Sequence, residues 1–292
     1  MFIINPKSGV FKKKRIPKRI RKFLNHRIFY YEIKYTEYAG HATLLAYRAV
    51  QRDFDMVIAC GGDGSINEIA NSLVHTKTAL GIIALGSGNG IARHLKISRN
   101  VRKAIETINT FNVQTIDAAK VNNRYFFSNA GYGFAGVVVQ QFSKQQLRGL
   151  LSYAWAITVQ FYSRFRPQKF KIRIDDAEIE REIFELSNFN SNQFGFELGF
   201  AKNADLQDGL LNVFLLNKFP RWKMYYVVLL SVLSKYDKIR EGEIYMAKSV
   251  RIFNPDRKIL AYQFDGESEE TEGDLNFEIV PGALKVVAPN LN

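Results

Sequence analysis

Apolar residues fall along this chain in two rhythms. Up to about residue 115, unbroken apolar runs alternate with segments of helical spacing. Residues 2–5, 28–36, 55–60 and 80–85 read as strands, and 42–51, 66–74, 91–95 and 101–110 as helices. That alternation predicts a parallel sheet with helices on both faces. Farther on the runs shorten, and turn residues separate them. Strands are predicted over 115–121, 124–129, 170–175, 179–188, 210–216, 250–253, 259–264, 275–280 and 284–287, with turns at Asn122-Asn123 and Asp176-Ala177. Two helices that are apolar nearly all round, near 150–163 and 221–235, interrupt these strands. The predicted fold class is α/β plus all-β. An N-terminal parallel-sheet domain covers 1–116, and a C-terminal antiparallel β-sandwich covers 117–280.

The chemistry lies in the connections. Gly61-Gly62-Asp63-Gly64-Ser65-Ile66-Asn67-Glu68 follows a buried strand and opens a helix. Glycines there let a ligand approach the backbone, and the N–H groups and helix dipole favour a phosphate. Asp63 beside this loop suits a magnesium ion carried in with a nucleotide. Gly86-Ser87-Gly88-Asn89-Gly90 forms a second strand-to-helix connection, and Asn5-Pro6-Lys7-Ser8-Gly9 follows the first strand. Any one alone is as well read as an ordinary connection. Three on the carboxyl edge of one parallel sheet point to a nucleotide site. No Walker A loop is present. Gly131-Tyr132-Gly133-Phe134-Ala135-Gly136 fits a dinucleotide fingerprint, but no acid lies between Asp117 and Asp175 to hold a ribose. It is read as a turn with close packing.

Charge narrows the partners. The net charge is +13 and the sequence pI about 9.6, which favours an acidic partner. Residues 7–27 hold ten basic side chains and no acid, and 118–174 hold nine basic side chains, no acid and many aromatics. Basic plus aromatic suits an anionic membrane surface. A solvated basic face is the plainer alternative. No nucleic-acid-binding signature accompanies the charge, so nucleic acid is not expected. The single cysteine, Cys60, sits in an apolar run and reads as a small buried hydrophobe. No segment approaches the roughly 20 apolar residues of a membrane span, and the first residues do not form a signal peptide. The expectation is a cytoplasmic protein, peripheral at the membrane surface.

At Asn5-Pro-Lys-Ser-Gly9, Gly61-Gly-Asp-Gly-Ser65 with Glu68, Gly86-Ser-Gly-Asn89 and Asp265-Gly-Glu267, the chain resembles the diacylglycerol kinase catalytic family, which includes sphingosine and ceramide kinases. The segment Asn203-Ala-Asp-Leu-Gln-Asp-Gly-Leu210 is similar to a family segment too. The resemblance covers nearly the whole chain and keeps motif order. It implies an ATP-dependent lipid kinase with ATP as co-substrate, Mg2+ as cofactor and a cleft between two domains. Residues 281–292 are expected to return to the first domain. Asn5, Lys7, Ser8, Gly61, Gly62, Gly64, Ser65, Glu68, Gly86, Ser87, Gly88, Asn89 and Glu267 would bind the nucleotide. Asp265 would be the catalytic base and Asp63 a second catalytic acid. Asp205, Asp208 and Asn203 would hold a structural magnesium. Many family members carry Asp where this chain has Gly90, which leaves the particular lipid open. The expected partners are a lipid substrate and an anionic membrane surface; a homodimer is compatible with the sequence.

Plainer readings compete residue by residue. Asp265-Gly266 makes a good hairpin turn, and Ser65-Ile-Asn-Glu68 fits a helix capping box. The apolar helices pack a core or shelter an acyl chain. Two rival functions remain at this stage: NAD kinase-like phosphorylation of a soluble acceptor, and a non-catalytic, membrane-associated nucleotide sensor.

Overall fold

The computed structural model describes residues 1–8, 15–86, 88–134, 136, 166–191, 205–232 and 235–289. Gly9, Ser87, Asn203 and the predicted helix near 150–163 lie outside the described residues.

The N-terminal half is a parallel sheet of β1 (Phe2–Ile4), β2 (Ile33–Tyr35), β3 (Met56–Gly61) and β4 (Ala79–Ala84), in the order β4-β3-β1-β2. β3 and β4 are buried throughout, which is why both read as unbroken apolar runs. The helices show the complementary spacing. In α3 (Asp63–Leu73) Ile66, Ile69, Ala70 and Leu73 are buried, and in α5 (Val101–Thr110) Val101, Ala104, Ile105 and Ile108. α1 (Ile16–Phe23) buries only Ile16 and Ile20 and turns Lys18, Arg19, Arg21 and Lys22 to solvent. α2 (His41–Gln51) packs on α3, and α4 (Gly90–His94) follows β4.

The C-terminal half is antiparallel. Its strands are β5 (Val113–Val121), β6 (Arg124–Phe126), β7 (Asn129–Gly133), β8 (Gln168–Ile174), β9 (Ala177–Phe189), β10 (Leu211–Asn217), β11 (Gly242–Ala247), β12 (Ser249–Ile252), β13 (Leu260–Phe264), β14 (Glu267–Thr271) and β15 (Leu275–Val287). A short helical turn, Arg221–Lys223, leads into α6 (Met224–Val232) between β10 and β11. A core of aliphatic and aromatic residues from β7, β8, β9, β12, β13 and β15 lies between the strands, apart from the core of the parallel sheet. A third cluster joins Phe184, Phe189, Phe214 and Phe219 to Met224, Val227 and Leu230 of α6.

Several strands depart from expectation. The predicted strands 275–280 and 284–287 are one strand, β15, with a register shift between Val280 and Leu284. Its first part pairs with β12 and β5, and its end pairs Val286 parallel to Leu80 of β4. The predicted strand 28–36 is ordered as a strand only over Ile33–Tyr35, because β2 is a sheet edge and Ile28 and Tyr30 are exposed. The turn predicted at Asp176-Ala177 sits one residue earlier. Asp175 takes φ 48° and accepts hydrogen bonds from the N–H groups of Lys248 and Ser249. The Gly131–Gly136 stretch starts in a strand, β7, rather than a turn. A Cβ at Gly131 would lie 2.5 Å from the Leu186 carbonyl oxygen, and one at Gly133 2.5 Å from that of Phe184. Close packing is thus its function here.

Candidate active site

Strands β1, β3 and β4 deliver the three glycine-rich connections to one edge. Asn5 follows β1, and its N–H is held by the Cys60 carbonyl at 3.0 Å. Its side chain donates to Ser65 Oγ at 2.9 Å and accepts the Lys7 N–H at 2.8 Å. Ser8 Oγ donates to the Asn5 carbonyl. The first connection is therefore tied to the second through Asn5 and Ser65.

The second and third connections touch backbone to backbone. A Cβ at Gly86 would meet Gly62 Cα at 2.8 Å, and one at Gly61 would meet Ser65 Cβ at 2.6 Å. No side chain other than hydrogen fits either place without displacement. Asp63 joins the two loops. Its Oδ2 accepts the Asn89 N–H at 2.7 Å and its Oδ1 the Gly90 N–H at 2.8 Å. Asn89 holds its own loop by accepting from Gly86 N–H and donating to the Gly86 carbonyl. Gly88 leaves no space either, since a Cβ there would lie 2.5 Å from Asp63 Oδ2. Gly64 differs. It is exposed, and a Cβ there meets nothing within 4 Å. The N-terminus of α3 has no side-chain cap. First-turn N–H groups at the positive end of a helix dipole can receive a phosphate.

The capping box expected at Ser65–Glu68 does not form. α3 starts earlier, at Asp63, and Ser65 is bonded to Asn5. Glu68 instead caps the neighbouring helix α2, accepting the N–H groups of Gly40 and Ala42 at 3.1 Å each.

Asp265 reaches this edge from the other half of the chain. It occupies the two-residue turn between β13 and β14, with φ 47°, followed by Gly266 at φ 87°. Positive φ at both positions is the hairpin geometry that Asp-Gly favours. The turn backbone reaches the surface, but the carboxylate is enclosed and accepts four hydrogen bonds. Oδ1 takes the N–H groups of Ser128 (2.8 Å) and Asn129 (3.1 Å); Oδ2 takes the Phe127 N–H (2.8 Å) and Asn67 Nδ2 (2.8 Å). The predicted strand 124–129 splits into β6 and β7 at this point, because three successive N–H groups turn toward the carboxylate. Burial pushes the Asp265 carboxyl above its ordinary value, against these four donors. Asn67 lies one helical turn beyond Asp63, so a side chain of the glycine-loop helix touches the acid.

Two further residues complete the setting. Glu267 follows the same turn, and burial, then the charge of Glu68, raises its carboxyl. Gln263 donates to Asn129 at 2.7 Å beneath the Asp265 cradle. Asn67, Asn129 and Gln263 were not singled out in the sequence. Asn67 had a readable signal: it follows Asp63 by four residues, on the same face of the helix.

Asp205 and Asp208 lie away from this edge in a polar turn before β10. Each spends one oxygen on the N–H two residues on, Gln207 and Leu210 respectively. Burial raises Asp208; the Leu210 N–H opposes this, and the charges of Asp205 and Asp117 add to it. Asp117 was not foreseen: buried, it accepts the N–H groups of Gly209 (2.8 Å) and Gly282 (2.7 Å), tying this turn to β15. Among the described residues, no three acids, histidines or cysteines converge as a metal cage. No helix among the described residues is long and apolar enough to cross a membrane.

Known proteins resemble this chain in sequence and fold. Residues 1–121 match the family model described as the diacylglycerol kinase catalytic domain, and residues 129–288 the one described as the YegS C-terminal NAD kinase beta sandwich-like domain. A diacylglycerol kinase of Bacillus subtilis is 29% identical over 272 residues, covering 91% of this chain and 88% of its own length. One of Staphylococcus haemolyticus is 29% identical over 258 residues, covering 86% and 77%. In fold, the chain resembles the crystal structure of a diacylglycerol kinase from Bacillus anthracis, with a TM-score of 0.74 at 21% identity over 99% and 96% of the two chains. It also resembles an NAD kinase from Archaeoglobus fulgidus, with a TM-score of 0.54 at 12% identity over 99% and 93%. With its parallel nucleotide-type sheet, its antiparallel sandwich and both family models matched in order, the chain belongs to the diacylglycerol kinase catalytic family.

Proposed function

We propose that this protein transfers the γ-phosphate of ATP to a hydroxyl of a membrane lipid, of diacylglycerol or sphingoid and ceramide type, with Asp265 as the base. The observation that carries the reading is the hydrogen bond between Asn67 and Asp265. It sets an enclosed carboxylate against the helix whose N-terminus is built for phosphate.

Phosphoryl transfer asks for positioning and charge more than for covalent chemistry. The N–H groups at the start of α3 and the Asn5, Lys7 and Ser8 connection receive the ATP phosphates. Asp63 holds the two glycine loops at their fixed separation. The lipid oxygen bonds to the γ-phosphorus as the bond from phosphorus to the β,γ-bridging oxygen breaks, and ADP leaves with that oxygen. The hydroxyl proton passes to Asp265. All four acceptor positions of that carboxylate are filled. Three donors are backbone groups of one segment, and the fourth is the Asn67 side chain. Asn67 is therefore the donor that an arriving hydroxyl displaces from Oδ2. Burial raises the Asp265 carboxyl above its ordinary value, the direction that makes a carboxylate a stronger base.

Magnesium fits this donor set. It is commonly held by one or two carboxylates plus substrate phosphates rather than by a protein cage. Glu68 and Glu267 are close enough for the charge of one to raise the other, while both Asp63 oxygens are engaged by the Asn89 and Gly90 N–H groups. Glu68 and Glu267, together with the ATP phosphates, would hold Mg2+, which would neutralise phosphate charge. Asp205 and Asp208 would hold a structural magnesium; burial raises the Asp208 carboxyl, and the charges of Asp205 and Asp117 add to the rise. The exposed basic face of α1 suits anionic headgroups and supports a peripheral position at the membrane.

The test is transfer of radiolabelled phosphate from ATP, with magnesium, to diacylglycerol, monoacylglycerol, sphinganine, ceramide and phosphatidylglycerol in mixed micelles. A labelled lipid supports the reading. Label appearing only in NAD would replace it with a soluble-acceptor kinase.

A further inference from the structure

The sequence of helix α6 is apolar apart from one serine, and its described side chains divide into a buried set and an exposed set. Met224, Val227 and Leu230 face the aromatic cluster under β9 and β10. The opposite side carries Tyr225 (63% exposed), Tyr226 (52%) and Leu229 (54%), and Trp222 (74%) stands in the helical turn that leads into the helix. At about 100° per residue the three in the helix fall within an arc of roughly 100°. They form one continuous face rather than scattered surface residues. The same side of the sheet extends it. Ile244 of β11 pairs with Phe214 of β10, whose ring lies in the cluster under α6, and Met246 stands two residues on. Ile244 and Met246 are both more than half exposed. β11 is an edge strand whose only partner among the described residues is β10.

We propose that the outer face of α6, continued by Ile244 and Met246, is a membrane-docking surface that seats in the interfacial layer of an anionic bilayer. The inference rests on the lipid-kinase reading for its purpose, but not for its geometry. A tryptophan and two tyrosines are side chains that favour the headgroup boundary, where an apolar body and a polar tip are both satisfied. A helix of nine residues is too short to span and lies in the plane. The charge around it complements anionic lipid. Residues 221–241 hold five basic side chains, at Arg221, Lys223, Lys235, Lys238 and Arg240, against two acids. Arg221 is exposed beside Trp222, whereas Lys223 is ion-paired with Glu241 and has its Nζ 5.7 Å from the Trp222 ring centroid. A second copy of the chain is the competing occupant. A face meant for another copy would have no need of cations at both ends of the helix, where like charges would meet across a symmetric contact.

Trp222 makes the test direct, because the chain has two tryptophans and Trp155→Phe leaves Trp222 as the only reporter. The full-length protein is mixed with phosphatidylcholine–phosphatidylglycerol vesicles and with phosphatidylcholine vesicles. The expected result is a blue shift of Trp222 emission and quenching by brominated lipid, stronger on the anionic vesicles. Trp222→Ser with Leu229→Ser is expected to lower vesicle affinity by about tenfold or more. It should leave the thermal melt unchanged, since both side chains are exposed, and should leave turnover of a monomeric short-chain lipid unchanged. Unaltered Trp222 emission on vesicles would overturn the proposal. So would a dimer in sedimentation that the double variant dissociates, because the face would then belong to a second copy. If Trp222 enters the bilayer but no lipid is phosphorylated, the docking surface stands and the kinase reading falls.

Discussion

Gly64→Ala separates ligand contact from folding at the glycine loop. Gly61, Gly86 and Gly88 are all hemmed in by protein atoms, but a Cβ at Gly64 meets nothing within 4 Å. Gly64 does not have the positive φ that favours glycine, and it lies in the first turn of α3. Alanine there restricts the unfolded chain and is expected to stabilise the protein by about 0.4–1 kcal/mol. That corresponds to a rise in melting temperature of about 1–4 °C for a chain of this size. The open space is where the account puts a phosphate oxygen against the backbone. A methyl group there pushes the phosphate off an N–H donor, and a hydrogen bond to a charged group is worth about 1.5–3 kcal/mol. The Michaelis constant for ATP should therefore rise by about 10- to 100-fold, while that for lipid stays near wild type. Differential scanning fluorimetry and initial rates over an ATP series read both quantities. An unchanged ATP constant with the stability gain intact would refute phosphate binding at this turn.

Gly88→Ala should do the reverse: its Cβ would collide with Asp63 Oδ2 and break the bridge between the loops, so thermal stability falls along with activity. Asn67→Ala removes a donor that favours the charged form of Asp265, so the acid limb of the kcat/KM profile should move to higher pH, as rates across a pH series will show. Glu243 is the acid-stability marker. Burial alone would raise its carboxyl, but Arg181, Tyr245 and Asn217 together hold it at about 2. A depressed carboxylate contributes stability above its unfolded value near 4.5 and loses it as pH falls toward about 2. Glu243→Gln should therefore cost stability at pH 7 and flatten the acid limb of a denaturation curve.

The parallel half of the fold was legible because burial there is complete. β3 and β4 read as apolar runs, and α3 and α5 show helical spacing on one buried face. β14 was not legible as a strand. Its residues Glu267–Thr271 are mostly acidic, and it is held by pairing to β13 and by the Asp265-Gly266 turn rather than by burial. β11 was missed because its apolar residues Ile244 and Met246 face outward. The glycine loops and Asp265 could be read as chemistry, and as turns, from local residues. What the sequence hid was their meeting. The contact between Asn67 and Asp265 spans 198 positions, and the cradle of Phe127, Ser128 and Asn129 is made of backbone, which carries no side-chain signature. The same holds for Glu68, whose caps on α2 come from a segment 26 to 28 residues earlier.

Asp265 as the base is the central claim, and Asp265→Asn tests it. If the amide oxygen keeps the Ser128 and Asn129 donors, the amide nitrogen faces the Phe127 N–H and Asn67 Nδ2, and both lose their acceptor. The cost to stability is about 1–3 kcal/mol, small enough for a folded protein to be assayed. The decisive measurement is single-turnover phosphate transfer by this variant beside its dissociation constant for ATP. ATP affinity is expected within a few fold of wild type, and the transfer rate lower by about 10²- to 10⁴-fold. Transfer at the wild-type rate by a folded Asp265→Asn protein would show that this carboxylate holds a turn and not a proton.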